Sequence, residues 1–136
     1  MTPAAAGVGH EYLVDARGCD RRTLQSLPAL RDLFERLVRE LALHPVGPAA
    51  WHVFPGPAGI TGAWLFTDAH LTIHTCPEAG LAAMNLYCFA RIAEWPWAAR
   101  LREALGADDV SVRVLQRGGE NSEQAASETF GGTTPR

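Results

Sequence analysis

Polar and apolar residues alternate along residues 68–76, and this pattern predicts a β-strand that is polar on one face only. Leu71 and Ile73 point to one face. The positions between and around them point to the other face and carry two imidazoles, a carboxylate and a thiol: Asp68, His70, Thr72, His74 and Cys76. A purely structural strand can also be polar on one side, but this combination makes it the first place to look for a functional site.

Similar alternation elsewhere predicts a set of strands at residues 9–15, 50–54, 60–67 and 110–114. Residues 81–89 are compatible with a strand or a helix. Apolar residues at helical spacing predict a core-facing helix that begins after an N-cap at Ser26 and ends before His44. A second helix begins at Pro96 and ends at Gly106.

Strands mixed with two amphipathic helices, without regular βαβ alternation, predict an α+β fold. The expected architecture is a two-layer α/β sandwich in which an antiparallel sheet packs against the two helices. The other face of the sheet is then exposed to water or covered by a partner protomer. Residues 1–8 are predicted to be a flexible N-terminus, residues 9–118 the folded domain and residues 119–136 a disordered tail.

The length, charge and cysteine content of the chain argue against several classes of function. With 136 residues, of which 47% are apolar, the chain can form one domain with its own core. The formal net charge is −3 and no basic stripe occurs, which argues against nucleic acid and anionic membranes as partners. No membrane span or signal-peptide pattern is visible. Three irregularly spaced cysteines argue against a disulfide framework and favour a cytoplasmic location.

Residues 68–78 read DAHLTIHTCPE and resemble the motif E-S-H-L-S-I-H-T-W-P-E. Further motifs occur in the same order on both sides of it, at residues 9–19, 54–62, 82–87 and 117–118. In these motifs the chain resembles the bacterial S-adenosylmethionine decarboxylases of the short, single-unit type, over residues 9–118. The resemblance implies a two-layer sandwich whose sites form around a homodimer interface.

The resemblance also implies a precursor that cleaves itself, in which the Ser of E-S-H becomes a pyruvoyl group. Ala69 stands at that position and has no hydroxyl with which to start the cleavage. We therefore expect no pyruvoyl group, no other cofactor and one intact chain. The Cys of the family motif T-C-G is replaced by Phe89. Cys88 lies one residue earlier, and one step along a strand turns a side chain to the opposite face.

The binding residues of the family have clearer counterparts. The resemblance implies that Glu78 accepts hydrogen bonds from ribose hydroxyls, that Phe54 stacks on adenine and that Thr61 replaces a Ser that assists His74. Tyr87 and Ala69 are further ligand-contacting candidates, and an aromatic face also suits a sulfonium. The implied ligand is S-adenosylmethionine or a related sulfonium nucleoside, although core packing is an ordinary role for each aromatic residue.

Two functions remain open from these residues. The first is an enzyme that promotes internal displacement of methylthioadenosine from the sulfonium. Attack by the carboxylate gives a homoserine lactone, whereas attack by the α-carbon gives a cyclopropane amino acid. The second route needs a base, for which His74 or His70 oriented by Asp68 is the candidate, because imidazole titrates near neutrality. That route also suits a substrate tethered to a carrier protein as a thioester.

The second function is a catalytically inactive relative that binds the ligand or regulates an active decarboxylase subunit.

A metal site is not expected. His74 and Cys76 lie about 7 Å apart on one strand face, but no second pair of ligands occurs at a motif spacing.

Overall fold

A seven-stranded antiparallel sheet organises the chain. The computed structural model describes residues 8–89, 94–119 and 125–131. The strands lie in the spatial order β2-β3-β4-β5-β1-β6-β7. Their bounds are Gly9–Arg17 (β1), Ala50–Val53 (β2), Ile60–Leu65 (β3), Ala69–Cys76 (β4), Leu81–Cys88 (β5), Asp109–Arg117 (β6) and Ala125–Gly131 (β7). The segment that was compatible with a strand or a helix is therefore a strand, β5, at the centre of the sheet.

The helices begin and end at the residues that local chemistry favours. They span Arg21–Leu24 (α1), Leu27–Glu40 (α2) and Trp97–Leu105 (α3), and a 3₁₀ turn spans Pro77–Ala79. The Ser26 hydroxyl accepts a hydrogen bond from the Ala29 N–H and caps α2. Gly106 ends α3 in the left-handed conformation, with φ of 69°. Among the described residues, no helix is long and apolar enough to cross a membrane.

The helices cover one face of the sheet and form the core with it. Large apolar side chains of α2 and α3 are fully buried there, together with alternate residues of β1, β4 and β5: Leu30, Phe34, Leu37, Leu101, Leu105, Val14, Leu71, Ile73 and Leu86. Burial stabilises the fold by about 1.5–3 kcal/mol for each large apolar side chain. The prediction of a two-layer α+β sandwich with an antiparallel sheet is confirmed.

The other face of the sheet, which we call the open face, carries the residues that alternate with this core. On β4 these are His70, Thr72, His74 and Cys76, so the predicted one-sided polarity of this strand is confirmed. The strand pairing aligns the open-face residues in rows across the sheet. One row reads His52, Thr61, His74, Ala83, Asp15 and Ser111, and another reads Leu65, His70, Tyr87, Glu11 and Leu115.

The prediction of a disordered tail over residues 119–136 is wrong for residues 125–131, which form β7 and pair with β6. The physical reason is that β6 would otherwise present a row of unpaired backbone groups, and a segment without a clear hydrophobic alternation can still satisfy them. Residues 120–124 and 132–136 of that tail, and residues 1–7 of the predicted flexible N-terminus, lie outside the described residues.

Candidate functional site

A cavity of about 360 Å³ lies at one edge of the open face and brings three of the predicted site residues together. Phe54, His74 and Glu78 line it, together with Cys76 and the turn at residues 57–59. Phe54 follows β2, His74 projects from β4, and Glu78 lies in the 3₁₀ turn that follows β4. We call this cavity the edge pocket.

The turn before β3 forms one wall of the edge pocket because Gly59 packs directly on β4. A Cβ atom at Gly59 would lie 1.9 Å from the carbonyl oxygen of Thr75, so only glycine permits this approach. The Phe54 N–H donates to the Gly59 carbonyl at 3.0 Å and closes the turn. The turn therefore fixes the position of Phe54 relative to β4.

A buried hydroxyl anchors the same wall from inside. Thr75 is only 1% exposed, and its hydroxyl accepts a hydrogen bond from the Ile60 N–H at 2.9 Å. The same hydroxyl donates to the Leu24 carbonyl at 2.8 Å. One side chain thus ties the end of α1 and the start of β3 to β4, directly behind His74.

Glu78 is placed by the turn that follows. Pro77 begins this 3₁₀ turn and Gly80 ends it in the left-handed region, with φ of 64°. The Glu78 carboxylate is exposed at the mouth of the edge pocket. Carboxylate oxygens there can accept hydrogen bonds from hydroxyl groups of a ligand.

Phe54 offers an aromatic surface to the pocket. Its side chain is 37% exposed, and its ring lies edge-on to His52 and His74, with centroid distances of 4.5 Å and 6.2 Å. His52, which the sequence did not single out, lies two residues earlier on β2 and therefore supports the ring from the same segment of the chain. An exposed ring held by two edge contacts can stack on a flat ligand group.

His74 is oriented by Thr61, its direct cross-strand partner on β3. The Thr61 hydroxyl lies 2.8 Å from His74 Nδ1. When Nδ1 donates to this hydroxyl, Nε2 has a free lone pair and can accept a proton. When the hydroxyl donates to Nδ1, Nε2 carries the hydrogen and acts as a donor instead.

His70 and Tyr87 form a second cluster away from the edge pocket. Their rings are stacked, with centroids 5.4 Å apart and planes inclined by 23°. Beside them, Glu11 accepts hydrogen bonds from Asn85 and from Arg117. The Asn85 hydrogen bond, followed by the Arg117 guanidinium, lowers the pKa of the Glu11 carboxyl and keeps it ionised.

Asp68 and Ala69 lie at a third location, at the start of β4. Asp68 is in the bend that precedes the strand, and its carbonyl accepts a hydrogen bond from the Phe89 N–H at 2.8 Å. Among the described contacts, no hydrogen bond or ion pair joins Asp68 to His70 or His74. Ala69 is 8% exposed and faces the helices, on the side of the sheet opposite to His74.

Cys88 is the direct cross-strand partner of Ala69 on that helix-facing side. Burial, with a further contribution from the Asp68 charge, raises the pKa of its thiol to about 12. The thiol therefore stays protonated near neutral pH and is not an effective nucleophile. Phe89, the next residue, is 51% exposed.

The sequence predicted the polar strand but not the pocket wall. Cys76 was visible at two residues from His74 and now proves to line the same cavity. The turn at residues 57–59 carried no chemical signal beyond its glycine and prolines. Among the described residues, no group of three or more His, Cys, Asp or Glu side chains is placed to hold a metal ion.

A scan against protein-family models matches residues 10–118 to the S-adenosylmethionine decarboxylase family. The chain belongs to this family. The matched range begins at the second residue of β1, contains β2 to β6 and the edge pocket, and ends one residue after β6. The resemblance seen in the sequence motifs is therefore confirmed at the level of the family.

Individual members of the S-adenosylmethionine decarboxylase family agree with this assignment. The chain is 32% identical to the S-adenosylmethionine decarboxylase proenzyme of Caldicellulosiruptor saccharolyticus, over 82% of this chain and 89% of that protein. It is also 32% identical to the proenzyme of Clostridium kluyveri, over 82% and 87%. The crystal structure of the adenosylmethionine decarboxylase from Aquifex aeolicus superimposes with a TM-score of 0.68 at 27% identity, covering 88% of this chain and 98% of that one.

Proposed function

We propose that the protein binds S-adenosylmethionine or a related sulfonium nucleoside in the edge pocket and acts without a pyruvoyl group. The observation that carries this proposal is the meeting of Phe54, His74 and Glu78 around one cavity in a member of the S-adenosylmethionine decarboxylase family. Each of the three supplies an interaction that a nucleoside requires.

The chemistry of the edge pocket suits the adenosine part of such a ligand. The exposed Phe54 ring stacks on the adenine, and the Glu78 carboxylate accepts hydrogen bonds from the two ribose hydroxyls. The volume of about 360 Å³ is within the usual range for a small-molecule site. The positive sulfonium next to the ribose is attracted to the faces of nearby aromatic rings.

The residues present do not fit a pyruvoyl group. The group derives from a serine, and the residue at the corresponding position, Ala69, has a methyl side chain and no oxygen. Thr75 does not replace it, because its hydroxyl is buried between Ile60 and Leu24. Thr67 lies two residues earlier, with its hydroxyl 3.4 Å from the Asp68 carboxylate. We therefore derive no catalytic step through a pyruvoyl group.

The reaction that this arrangement supports is internal displacement at the sulfonium. A carboxylate oxygen of the substrate attacks its own γ-carbon, the bond from that carbon to sulfur breaks, and the electron pair goes to sulfur. The products are homoserine lactone and methylthioadenosine, and no proton is transferred. The protein contributes by holding the arm in a reactive conformation. Attack by the α-carbon would in addition need His74 Nε2 as a base.

A second candidate function is a non-catalytic subunit that binds the ligand or regulates an active decarboxylase. It is favoured by the separation of the three residues considered for catalysis. His74 lines the edge pocket, His70 stacks on Tyr87, and Asp68 lies at the start of β4. A protein that retained a binding surface without catalytic groups would look like this.

We further propose that two copies pack through their open faces and that the protein acts in the cytoplasm. The helices leave the open face uncovered, and all three cysteines are free. Analytical ultracentrifugation should give a mass of twice 14.7 kDa. A monomer at micromolar concentration would contradict the dimer without affecting the nucleoside pocket.

The two functions are separated by incubating the purified protein with S-adenosylmethionine and analysing products and protein by mass spectrometry. An enzyme releases methylthioadenosine faster than the buffer control, and Glu78→Gln reduces that rate. A regulatory subunit gives no excess product but changes the activity of a co-purified decarboxylase. In both cases the protein is one intact chain of 14.7 kDa. Two fragments divided at residues 68 and 69 would contradict the absence of a pyruvoyl group.

A further inference from the structure

A further cavity, of about 250 Å³, lies between helix α2 and strands β2 and β3, and we call it the helix-side pocket. Three aromatic rings and two charged side chains line it: Phe34, Trp51, Trp64, Arg31 and Glu35. Trp51 pairs across the strands with Gly62, and Gly62 pairs with Ile73, which is buried under the helices. The helix-side pocket is therefore on the opposite side of the sheet from the open face.

The aromatic walls of the helix-side pocket are held in place by their neighbours. The Phe34 ring is fully buried, and its centroid lies 4.7 Å from that of Trp51 and 6.4 Å from that of Trp64. The Trp64 indole N–H donates to the Gly47 carbonyl at 2.7 Å. The Trp51 ring packs on Gly62, where a Cβ atom would lie 2.3 Å from Cζ3. The pocket is thus formed without a ligand.

The two tryptophans leave binding surface unused. Both rings are only partly buried, although they pack against the core. The Trp51 indole N–H has no hydrogen-bond acceptor among the described residues. It lies on the ring edge opposite to Cε3 and Cζ3, which contact Gly62, so it points away from β3. Exposed aromatic faces beside an unpaired N–H suit a ligand with a flat ring and a nearby acceptor.

Arg31 and Glu35 add opposite charges to one flank of the pocket. They are four residues apart on α2, a spacing at which side chains are neighbours on a helix. Both are exposed, and neither forms a hydrogen bond or an ion pair with the described residues. The same spacing on the same helix joins Arg36 to Glu40 at 3.2 Å. The charges of Arg31 and Glu35 therefore remain available to a ligand.

We propose that the helix-side pocket binds a free amino acid with an aromatic side chain. The ring of the ligand packs against Trp51 and Trp64, its α-carboxylate pairs with Arg31, and its α-ammonium group pairs with Glu35. Guanidinium and carboxylate form a two-pronged, charge-assisted contact that suits this role. This site lies on the other side of the sheet from the edge pocket and does not rest on the proposed function.

The charges and the size of the pocket argue against other classes of ligand. An organic cation suits the aromatic faces but is repelled by Arg31, and a simple anion is repelled by Glu35. The end of a peptide chain carries only one of the two charges. The volume of about 250 Å³ is below the range of about 300–1,000 Å³ for sites of drug-sized ligands, so a single amino acid fits better than a nucleotide.

The test follows the indole N–H signals of the full-length protein by proton–nitrogen NMR during titration with L-phenylalanine. The chain has four tryptophans, so Trp95 and Trp97 are internal controls for Trp51 and Trp64. The signals of Trp51 and Trp64 should shift and saturate with a dissociation constant of about 1 mM. Phenylalanine amide, N-acetylphenylalanine and leucine each lack one of the three groups and should bind about fivefold more weakly.

Two variants assign the charged contacts. Arg31→Gln should remove the preference for phenylalanine over its amide and keep the preference over N-acetylphenylalanine. Glu35→Gln should have the reverse effect. Matched controls are Arg39→Gln and Asp32→Asn, which change exposed residues of α2 outside the pocket, and both should keep the two preferences. The dispersion of the same NMR spectra shows that each variant is folded.

Three results would overturn this inference. The first is an absence of shifts at Trp51 and Trp64 when phenylalanine is present about tenfold above the expected dissociation constant. The second is equal affinity of the wild type for all four compounds, which would exclude recognition of the two charges. The third is a loss of preference in a control variant as large as that in Arg31→Gln or Glu35→Gln. None of them affects the nucleoside pocket, which is tested with methylthioadenosine.

Discussion

The Thr61 hydroxyl lies 2.8 Å from His74 Nδ1, and these two residues are direct cross-strand partners on the open face. The direction of this hydrogen bond determines which nitrogen of the imidazole carries the hydrogen, and the contact holds the ring beside the edge pocket. Orientation of His74 is therefore a property of the β3–β4 pairing and not of the pocket alone.

Replacement of Thr61 by valine should release this ring. Thr61→Val keeps the shape of the side chain but removes the hydroxyl. The loss of this hydrogen bond removes about 1 kcal/mol of the free energy that holds the His74 ring in place. We expect about fivefold weaker binding of S-adenosylmethionine and a mixture of imidazole tautomers at His74, measured by nitrogen-15 NMR. Thr61→Ser keeps the hydroxyl and should restore both. An unchanged tautomer spectrum in Thr61→Val would show that Thr61 does not orient the ring.

Cysteine labelling should report on the edge pocket. Cys76 is exposed and lines the pocket, whereas burial raises the pKa of Cys19 to about 11 and that of Cys88 to about 12. Iodoacetamide at pH 8 should therefore modify one thiol of the native protein, and methylthioadenosine should slow this modification. Cys76→Ser should remove the labelling altogether.

Peptide mapping identifies the modified thiol in that experiment. Labelling of Cys88 at a rate similar to Cys76 would contradict the burial of Cys88. A rate that saturating methylthioadenosine does not change would place the ligand away from Cys76.

The buried Thr75 hydroxyl should contribute strongly to stability. Thr75→Val removes the partner of the Ile60 N–H and of the Leu24 carbonyl, and neither buried group can turn to water. We expect the free energy of unfolding in urea to fall by about 2–3 kcal/mol. Thr75→Ser, which keeps the hydroxyl, should lose less. A loss below about 0.5 kcal/mol in Thr75→Val would mean that water or another group satisfies these atoms.

An acid-sensitive contact should link α2 to α3. Glu40 accepts hydrogen bonds from Trp95, Arg100 and Arg36, and these contacts, Trp95 first, lower the pKa of its carboxyl from 4.5 to about 2. Because the pKa is lower in the folded state, the stabilisation is present above about pH 4.5 and is lost as the pH falls toward 2.

The measurement for Glu40 is the difference in free energy of unfolding between the wild type and Glu40→Gln at several pH values. This difference should be largest near neutral pH and should shrink from pH 4.5 downward. Glu35→Gln, on the exposed side of the same helix, is the matched control for removing a charge from α2. A difference for Glu40→Gln that is constant down to pH 2 would contradict the lowered pKa.

Local chemistry in the sequence predicted much of this fold. The Ser26 cap, the Gly106 terminus and the alternation of β4 each depend on neighbours within a few residues, and all three appear in the structure. Contacts between residues that are far apart in the sequence were harder to predict. The pairing of β7 with β6 joins segments whose sequence patterns differ, and no local signal in residues 125–131 indicated the partner strand.

The same holds for the candidate site: features within one strand were predicted, whereas contacts between strands were not. Alternation placed His70 and His74 on one face, but it could not show that Tyr87 stacks on His70 while Phe54 and Glu78 surround His74. Asp68 was predicted to belong to that strand, whereas β4 begins one residue later because the chain bends at residues 67 and 68. A cavity forms between residues of different strands. The strand register decides which residues meet there, and the alternation within one strand does not reveal that register.

Binding of methylthioadenosine, measured by isothermal titration calorimetry, tests the nucleoside pocket most directly. Wild-type protein of intact mass should bind one ligand per edge pocket, and Phe54→Ala should weaken this binding by about tenfold through loss of stacking. Phe89→Ala, which removes an exposed ring outside the pocket, should stay within about twofold of the wild type. No measurable binding to the wild type, or equal losses in the two variants, would contradict the account.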